Sequence, residues 1–270
     1  DELQAIRHKI FSVKTTATKQ KYKVDDKAKR EEIAAALKAN GWPDKTADRL
    51  AKWDPYKQND SADFFDPVWM FGLKGFDVVI GNPPYVFGGN SGISTEAKKL
   101  YKERYVSGVG KVNLFTIFIE RGGQLLQSNG SLCYILPNTL LRVTSYKAIR
   151  KLMLSRMKLD QILDLDVGVF DAVTASTIVI KVCNTRPKQD HKTVIKHGLT
   201  DENEKLISQN SWLEAGGVID IFSSEIDRQI LEEIANDSVL LGNLCRLIRF
   251  GVVISGNFDE VVGAKPYLSG

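Results

Sequence analysis

Asn82-Pro83-Pro84-Tyr85 is the segment whose residue types and spacing point most directly to chemistry. It follows Phe76-Asp77-Val78-Val79-Ile80, which reads as a buried strand broken by Gly81. In open α/β sheets, ligands bind at the carboxyl ends of the strands. Two consecutive prolines fix φ twice and remove two backbone donors, so the turn is stiff and presents carbonyl acceptors without competing N–H groups. Asn82 adds a side-chain carbonyl and Tyr85 adds a flat face. This arrangement suits an exocyclic amine. The lone pair of such a nitrogen is delocalised into a ring or carbonyl, which makes it a poor nucleophile. The Asn82 side chain and the Pro83 main-chain carbonyl, gripping its two hydrogens, favour a tetrahedral nitrogen whose lone pair faces an electrophile. No Ser, Cys or His nucleophile is needed. A proline turn can also simply end a strand, and Pro-Pro-Tyr can be a peptide ligand for an aromatic groove. That second use needs an exposed, extended segment, whereas this one follows a core strand.

The surrounding pattern supplies elements to hold the turn. Asn113–Gln127 reads as a helix with Leu114, Phe115, Phe118, Ile119, Gly122, Leu125 and Leu126 on one stripe. Ser131–Leu136 reads as a strand ended by Pro137. Ser145–Met157 reads as a helix with Tyr146, Ile149, Leu152, Met153 and Met157 on one side. Gln161–Leu165 and Ser176–Val182 read as two more strands. Strand, helix, strand, helix, strand, strand is the back half of an open α/β sheet, and the helix-free link from Asp166 to Ala175 predicts an antiparallel last strand. Residues 184–210 read as a polar connection. Ser224-Glu225-Ile226-Asp227 reads as a helix start with Ile226, Ile230, Leu231 and Ile234 beneath.

Upstream, residues 1–52 hold 13 Lys and Arg against eight Asp and Glu. Asp25-Asp26 reads as a helix start, Gly41 as its stop, and Asp44–Lys52 as a second short helix. Helices so poor in large apolar residues form an arm that leans on something else, or a linker. Trp53–Gly75 reads as a loop rich in aromatics, which pack on a sheet or line a pocket. Arg142, Lys147, Arg150, Lys151, Arg156 and Lys158 read as the solvated face of a helix, and the arm's Lys9–Arg30 as the better phosphate contact.

Composition sets the outer bounds. Of 270 residues, 43% are hydrophobic and 26% charged, with a formal net charge of +4. That is a globular balance, not that of a disordered, collagen-like or disulfide-stapled chain. No apolar run approaches the ~20 residues of a membrane span. Cys133, Cys183 and Cys245 are scattered and odd in number, which fits a reducing cytoplasm. His8, His191 and His197 have no ligand spacing, so no metal site is expected. The chain opens at Asp1 without a signal-like segment and stops at Gly270, which reads as a piece of a larger protein.

Phe76–Tyr85 resembles motif IV of the S-adenosylmethionine-dependent N6-adenine DNA methyltransferases. Trp53–Gly72 and the lysine-rich arm resemble the fused restriction–modification enzymes of type IIG. Asn113–Gln127 and Gly130–Leu141 resemble the helix and strand-plus-proline that follow motif IV. The resemblance implies methyl transfer from S-adenosylmethionine to an adenine flipped from double-stranded DNA. Asn82 and Pro83 would hold the amine, Pro84 stiffen the loop, Tyr85 stack on the base, and Phe170 supply a second aromatic contact. It implies an α/β fold: the C-terminal half of a Rossmann-like methyltransferase sheet, with an N-terminal helical arm and the start of a target-recognition domain.

The expected divisions are 1–52 as arm or linker, 53–200 as the second half of the methyltransferase region, and 201–270 as the opening of the recognition domain, with Ser238–Asn257 and Lys265–Gly270 resembling its first segments. The family's cofactor half carries a glycine-rich loop, and before Phe76 only Gly41, Gly72 and Gly75 occur. The resemblance therefore implies that the cofactor-binding residues belong to a missing N-terminal half of the same polypeptide, and this chain in isolation is expected to bind S-adenosylmethionine weakly or not at all and to be inactive. The alternatives are a protein methyltransferase acting on glutamine amides, and a non-catalytic nucleic-acid-binding module that retains the loop.

Overall fold

Strands β1 (Phe76–Gly81), β2 (Leu126–Pro137), β3 (Lys158–Leu165), β4 (Thr177–Cys183), β5 (Lys192–His197) and β6 (Lys205–Ser208) form one mixed sheet in the spatial order β1-β2-β4-β3-β5-β6. The structure is a computed structural model describing residues 2–57, 59, 61–88, 92–165, 176–199, 203–223, 225–239 and 241–244. Contacts divide the chain into two units, Asp1–Ile221 and Phe222–Gly270.

β1 runs parallel to β2, and β4 runs antiparallel to both β2 and β3. The antiparallel strand expected after the helix-free link is therefore present, but it is not the last. β5 pairs parallel with β3, and β6 closes the edge antiparallel to β5. Residues 184–210 are thus not merely a polar connection. Thr193, Ile195 and Ile207 are buried there among exposed or half-buried lysines, and so short an alternation is easily lost in a polar stretch.

β1 also departs from expectation. It is an edge strand paired with β2 alone among the described residues, and Val78 and Ile80 are 60% and 77% exposed. A run of Val and Ile signals strand propensity, but burial depends on a neighbour on each face.

Helices α1 (Glu2–Ser12), α2 (Thr16–Ala39) and α3 (Asp44–Lys52) form the arm. α2 begins at Thr16, nine residues before Asp25. Thr15 caps it, accepting from Thr18 N at 3.3 Å, and Asp26 lies mid-helix and fully buried. Asp26 Oδ1 accepts from Arg7 Nε at 2.8 Å and Asp26 Oδ2 from Arg30 Nε at 2.7 Å. Gly41, at φ +84°, ends α2 as expected. Within the aromatic stretch, Asp66 caps the short helix α4 (Pro67–Phe71). Ring contacts 6.1–6.5 Å apart join Trp53 to Phe64 and Phe71, and Phe71 and Phe65 to each other and to Phe76, the first residue of β1.

Helices α5 (Thr95–Arg104), α6 (Leu114–Leu125) and α7 (Lys147–Arg156) follow β1. α6 is buried on most of its circumference, including Phe115, Ile117, Ile119 and Glu120, while Phe118 is 44% exposed. It packs so closely that a Cβ on Gly122 would meet Leu132 Cδ1 of β2 at 2.5 Å and one on Gly123 would meet Met157 Cε, just before β3, at 2.0 Å. α7 buries Ile149, Met153 and Leu154. It also buries Arg150, which is therefore not part of a solvated face. Its Nε donates to Gly217 O at 2.5 Å, and its Nη1 to Leu140 O at 2.9 Å and Val143 O at 2.7 Å. Helix α8 (Gln209–Glu214) completes this unit, with Gln209 fixing Leu159 N, Leu154 O and Met157 O.

In the second unit, α9 (Glu225–Asn236) forms where Ser224-Glu225-Ile226-Asp227 predicts it, followed by α10 (Leu241–Leu244). Its apolar stripe is not beneath anything described: Ile226, Ile230, Leu231 and Ile234 are 49–67% exposed. The segments resembling a recognition domain fall mostly outside the described residues.

Candidate active site

Gly81 pairs with Tyr134 on β2, and the next residue leaves the ladder. Asn82 and Pro84 are exposed, Pro83 is buried, and Tyr85 is half-buried against the main core. Among the described residues neither the Asn82 side chain nor the Pro83 carbonyl is taken by a hydrogen bond. The diproline explains this. A turn without N–H groups at two successive positions has few donors of its own to spend on nearby oxygens.

Tyr85 is held by a second aromatic layer. Its ring meets Phe115 edge-on, with centroids 6.2 Å apart and planes at 83°. Phe115 is fully buried and in turn meets Tyr146 at 4.9 Å and 68°. Asn113 Nδ2 approaches Tyr146 Oη at 3.5 Å, a long contact, while Asn113 Oδ1 accepts from Phe115 N at 3.4 Å as the N-cap of α6. The chain leaving Tyr85 is stitched to the same helix entry. Leu114 N donates to Val86 O at 3.0 Å, Gly88 N donates to Val112 O at 2.8 Å, and Phe87 bridges Asn113. The turn is therefore anchored on one side by β1 and on the other by the start of α6. Burial raises the phenol pKa of both Tyr85 and Tyr146, so both rings are neutral near pH 7.

Asn82, Pro83, Pro84 and Tyr85 thus lie together at the carboxyl end of β1. Phe170 lies outside the described residues. The carboxyl end of β2 continues into a turn over Asn138–Leu141, where Asn138 N donates to Ser176 O at 3.0 Å. Asn113 and Tyr146 are additions to the site that sequence reasoning did not single out. An Asn immediately before an apolar helix is a recognisable cap, but its reach to Tyr146 depends on packing between α6 and α7. Among the described residues no cluster of His, Cys, Asp and Glu could hold a metal ion, and no helix is long and apolar enough to cross a membrane.

Chemically, the turn carries two oxygens unclaimed among the described residues, Asn82 Oδ1 on an exposed residue and Pro83 O on a buried one, beside a flat neutral ring. A planar amine meets both requirements.

Residues 4–170 match the family model described as Eco57I restriction-modification methylase. The chain is 33% identical over 104 residues to the type II methyltransferase M.TthHB8I of Thermus thermophilus, covering 37% of this chain and 24% of that protein. It is 27% identical over 168 residues to the type II restriction enzyme and methyltransferase RM.Eco57I of Escherichia coli, covering 62% of this chain and 16% of that protein. The chain therefore spans a quarter or less of the length of either relative. Among solved structures, the type IIG restriction endonuclease BpuSI aligns at a TM-score of 0.43 with 18% identity, covering 59% of this chain and 22% of that one.

Proposed function

The chain belongs to the Eco57I restriction-modification methylase family, and from that membership we propose that it is the acceptor-holding part of a DNA adenine-N6 methyltransferase. The observation that carries this reading is the pair of unspent acceptors, Asn82 Oδ1 and Pro83 O, beside the braced ring of Tyr85.

The two acceptors take the two hydrogens of the adenine N6 amine. That draws the nitrogen out of conjugation and aims its lone pair away from the turn. Pro84 keeps the acceptors in place, because a turn fixed at two consecutive φ angles loses no order when the substrate arrives. Tyr85 stacks on the base. Stacking of this kind is worth about 1–3 kcal/mol, comparable to the few kcal/mol that extruding a base from the duplex costs. Phe170 is proposed as the second face of the base pocket. The basic arm is proposed as a contact for duplex phosphates, with 1–52, 53–200 and 201–270 as arm, catalytic region and start of the recognition domain.

S-adenosylmethionine would supply an electrophilic methyl group. Among the described residues no strand precedes β1, and the glycine-rich part of its site is proposed to lie outside them. What this chain provides is the grip on the acceptor nitrogen.

The test offers the full-length protein a methyl donor together with duplex DNA or, separately, with protein substrates, and identifies the product by mass spectrometry. N6-methyladenine in the DNA supports the reading. Methylated glutamine amide instead, or no transfer to either, overturns it.

A further inference from the structure

A cavity of about 580 Å³ opens between the arm and the aromatic loop, with Arg7, Lys19, Lys23, Trp53, Tyr56 and Phe71 among its walls. Behind it lies the ion cluster of the arm. Asp26 is fully buried and both its oxygens are taken, by Arg7 Nε at 2.8 Å and Arg30 Nε at 2.7 Å. Two guanidiniums share one carboxylate, so the cluster keeps one positive charge in excess. Arg7 Nη1 donates to the main-chain oxygens of Trp69 at 2.6 Å and Met70 at 3.2 Å. Arg7 Nη2 is buried and donates to nothing among the described residues, on a side chain only 9% exposed. The excess positive charge of the cluster favours an anion in the cavity that Arg7 lines.

Lys19 and Lys23 add two more positive charges, and no Asp or Glu lines the cavity. Asp54 stands in the neighbouring groove, where it accepts from Tyr56 N at 2.9 Å. The remaining walls are flat and apolar. Arg7 Cζ stands 5.4 Å from the centre of the Trp53 ring, and Lys23 Nζ stands 5.2 Å from the centre of the Tyr56 ring. The volume suits a small organic ligand and far exceeds what a bare phosphate needs. Cations beside aromatic faces match a phosphate joined to a base.

We propose that this cavity is a second nucleotide site, in which Lys19 and Lys23 take the phosphate and the Trp53 and Phe71 rings line the wall against which the base lies. Phe71 packs on Phe76 at the amino end of β1, whereas Asn82 follows its carboxyl end. About 20 Å of strand separates the two, so this site is distinct from the amine-holding turn. The nucleotide arrives either free or as one unit of a single strand, and the contacts are the same for both.

The test titrates the full-length protein with deoxyadenosine 5′-monophosphate, deoxyadenosine and a single-stranded thymidine octanucleotide, followed by calorimetry. The monophosphate binds at least about tenfold more tightly than the nucleoside, the worth of one charge-assisted contact. Lys19→Gln with Lys23→Gln removes that preference, whereas Tyr85→Ala leaves it. These variants are chosen because Arg7 also ties the arm to the loop. If the octanucleotide binds more tightly than the monophosphate and the lysine variant weakens it, the strand is the ligand. If the lysine variant affects the monophosphate alone, the free nucleotide is the ligand. Absence of phosphate-dependent binding, indifference to the lysine variant, or loss in Tyr85→Ala would overturn the proposal.

Discussion

The two ends of β1 are built on opposite deficits. At the carboxyl end, Asn82 and Pro83 offer oxygens that no donor in the described structure claims. At the amino end, Arg7 offers a buried N–H that no acceptor claims. The first deficit arises because two prolines delete donors, and the second because two arginines share a single aspartate. Their supports differ in the same way. Tyr85 rests on edge-on aromatic rings, while the arm rests on buried charge. A rigid turn whose oxygens are unclaimed can wait for a substrate at little cost, whereas two buried guanidiniums on one carboxylate carry an excess charge that favours a bound anion.

The contrast predicts unequal sensitivity. The largest effect on stability is expected at the arm. Asp26→Asn leaves two buried guanidiniums without their carboxylate and should destabilise the protein by about 3–5 kcal/mol in urea unfolding. A loss below about 1 kcal/mol would mean that water reaches the cluster and that its charge is not truly buried. The aromatic pole should respond more gently. A double-mutant cycle with Tyr85→Leu and Phe115→Leu should give a coupling of about 0.5–1.5 kcal/mol, the usual worth of an edge-on ring pair. Additivity would show that Phe115 does not seat Tyr85.

Alkaline pH should separate the poles by smaller steps. Burial raises the phenol pKa values of Tyr56, Tyr85, Tyr134 and Tyr146, and the charge of Asp26 raises that of Tyr56 further. An unfolded tyrosine titrates near about 10. Below that pH both states are protonated and the contribution is fully present. Above it the unfolded chain loses protons that the folded protein retains, so stability falls as pH rises towards the folded values. The urea midpoint should therefore drop above about pH 10, and Tyr56→Phe should relieve more of that drop than Tyr85→Phe. Equal relief would remove the distinction between the poles.

The sequence made one pole far more legible than the other. Asn82–Tyr85 could be read because prolines, a glycine break and a Val/Ile strand act locally, within ten residues. The antiparallel β4 could be read because a helix-free link leaves little choice of direction. Asp25-Asp26 reads as a helix start because two adjacent acids resemble one, and only the packing of α1 on α2 brings Arg7 to Asp26 across 19 residues. Arg150 looked like one cation in a solvated run. Its burial depends on the carbonyls of Leu140, Val143 and Gly217, which no helical periodicity can reveal. The exposure of Val78 and Ile80 was hidden for a related reason: hydrophobicity records a preference for burial, while the sheet edge decides whether it is met. In the site itself, Asn113 and Tyr146 were missed because they meet only through the packing of α6 against α7.

The central claim is that Asn82 and Pro83 hold an amine at the tip of β1, and Asn82→Ala in the full-length protein tests it most directly. Methyl transfer to duplex DNA should fall by at least about 10²–10³-fold, as expected when one preorganised polar contact to the reacting group is lost. Duplex affinity should stay within about twofold, because phosphate contacts supply most of it. Turnover close to that of the unaltered protein would contradict the account.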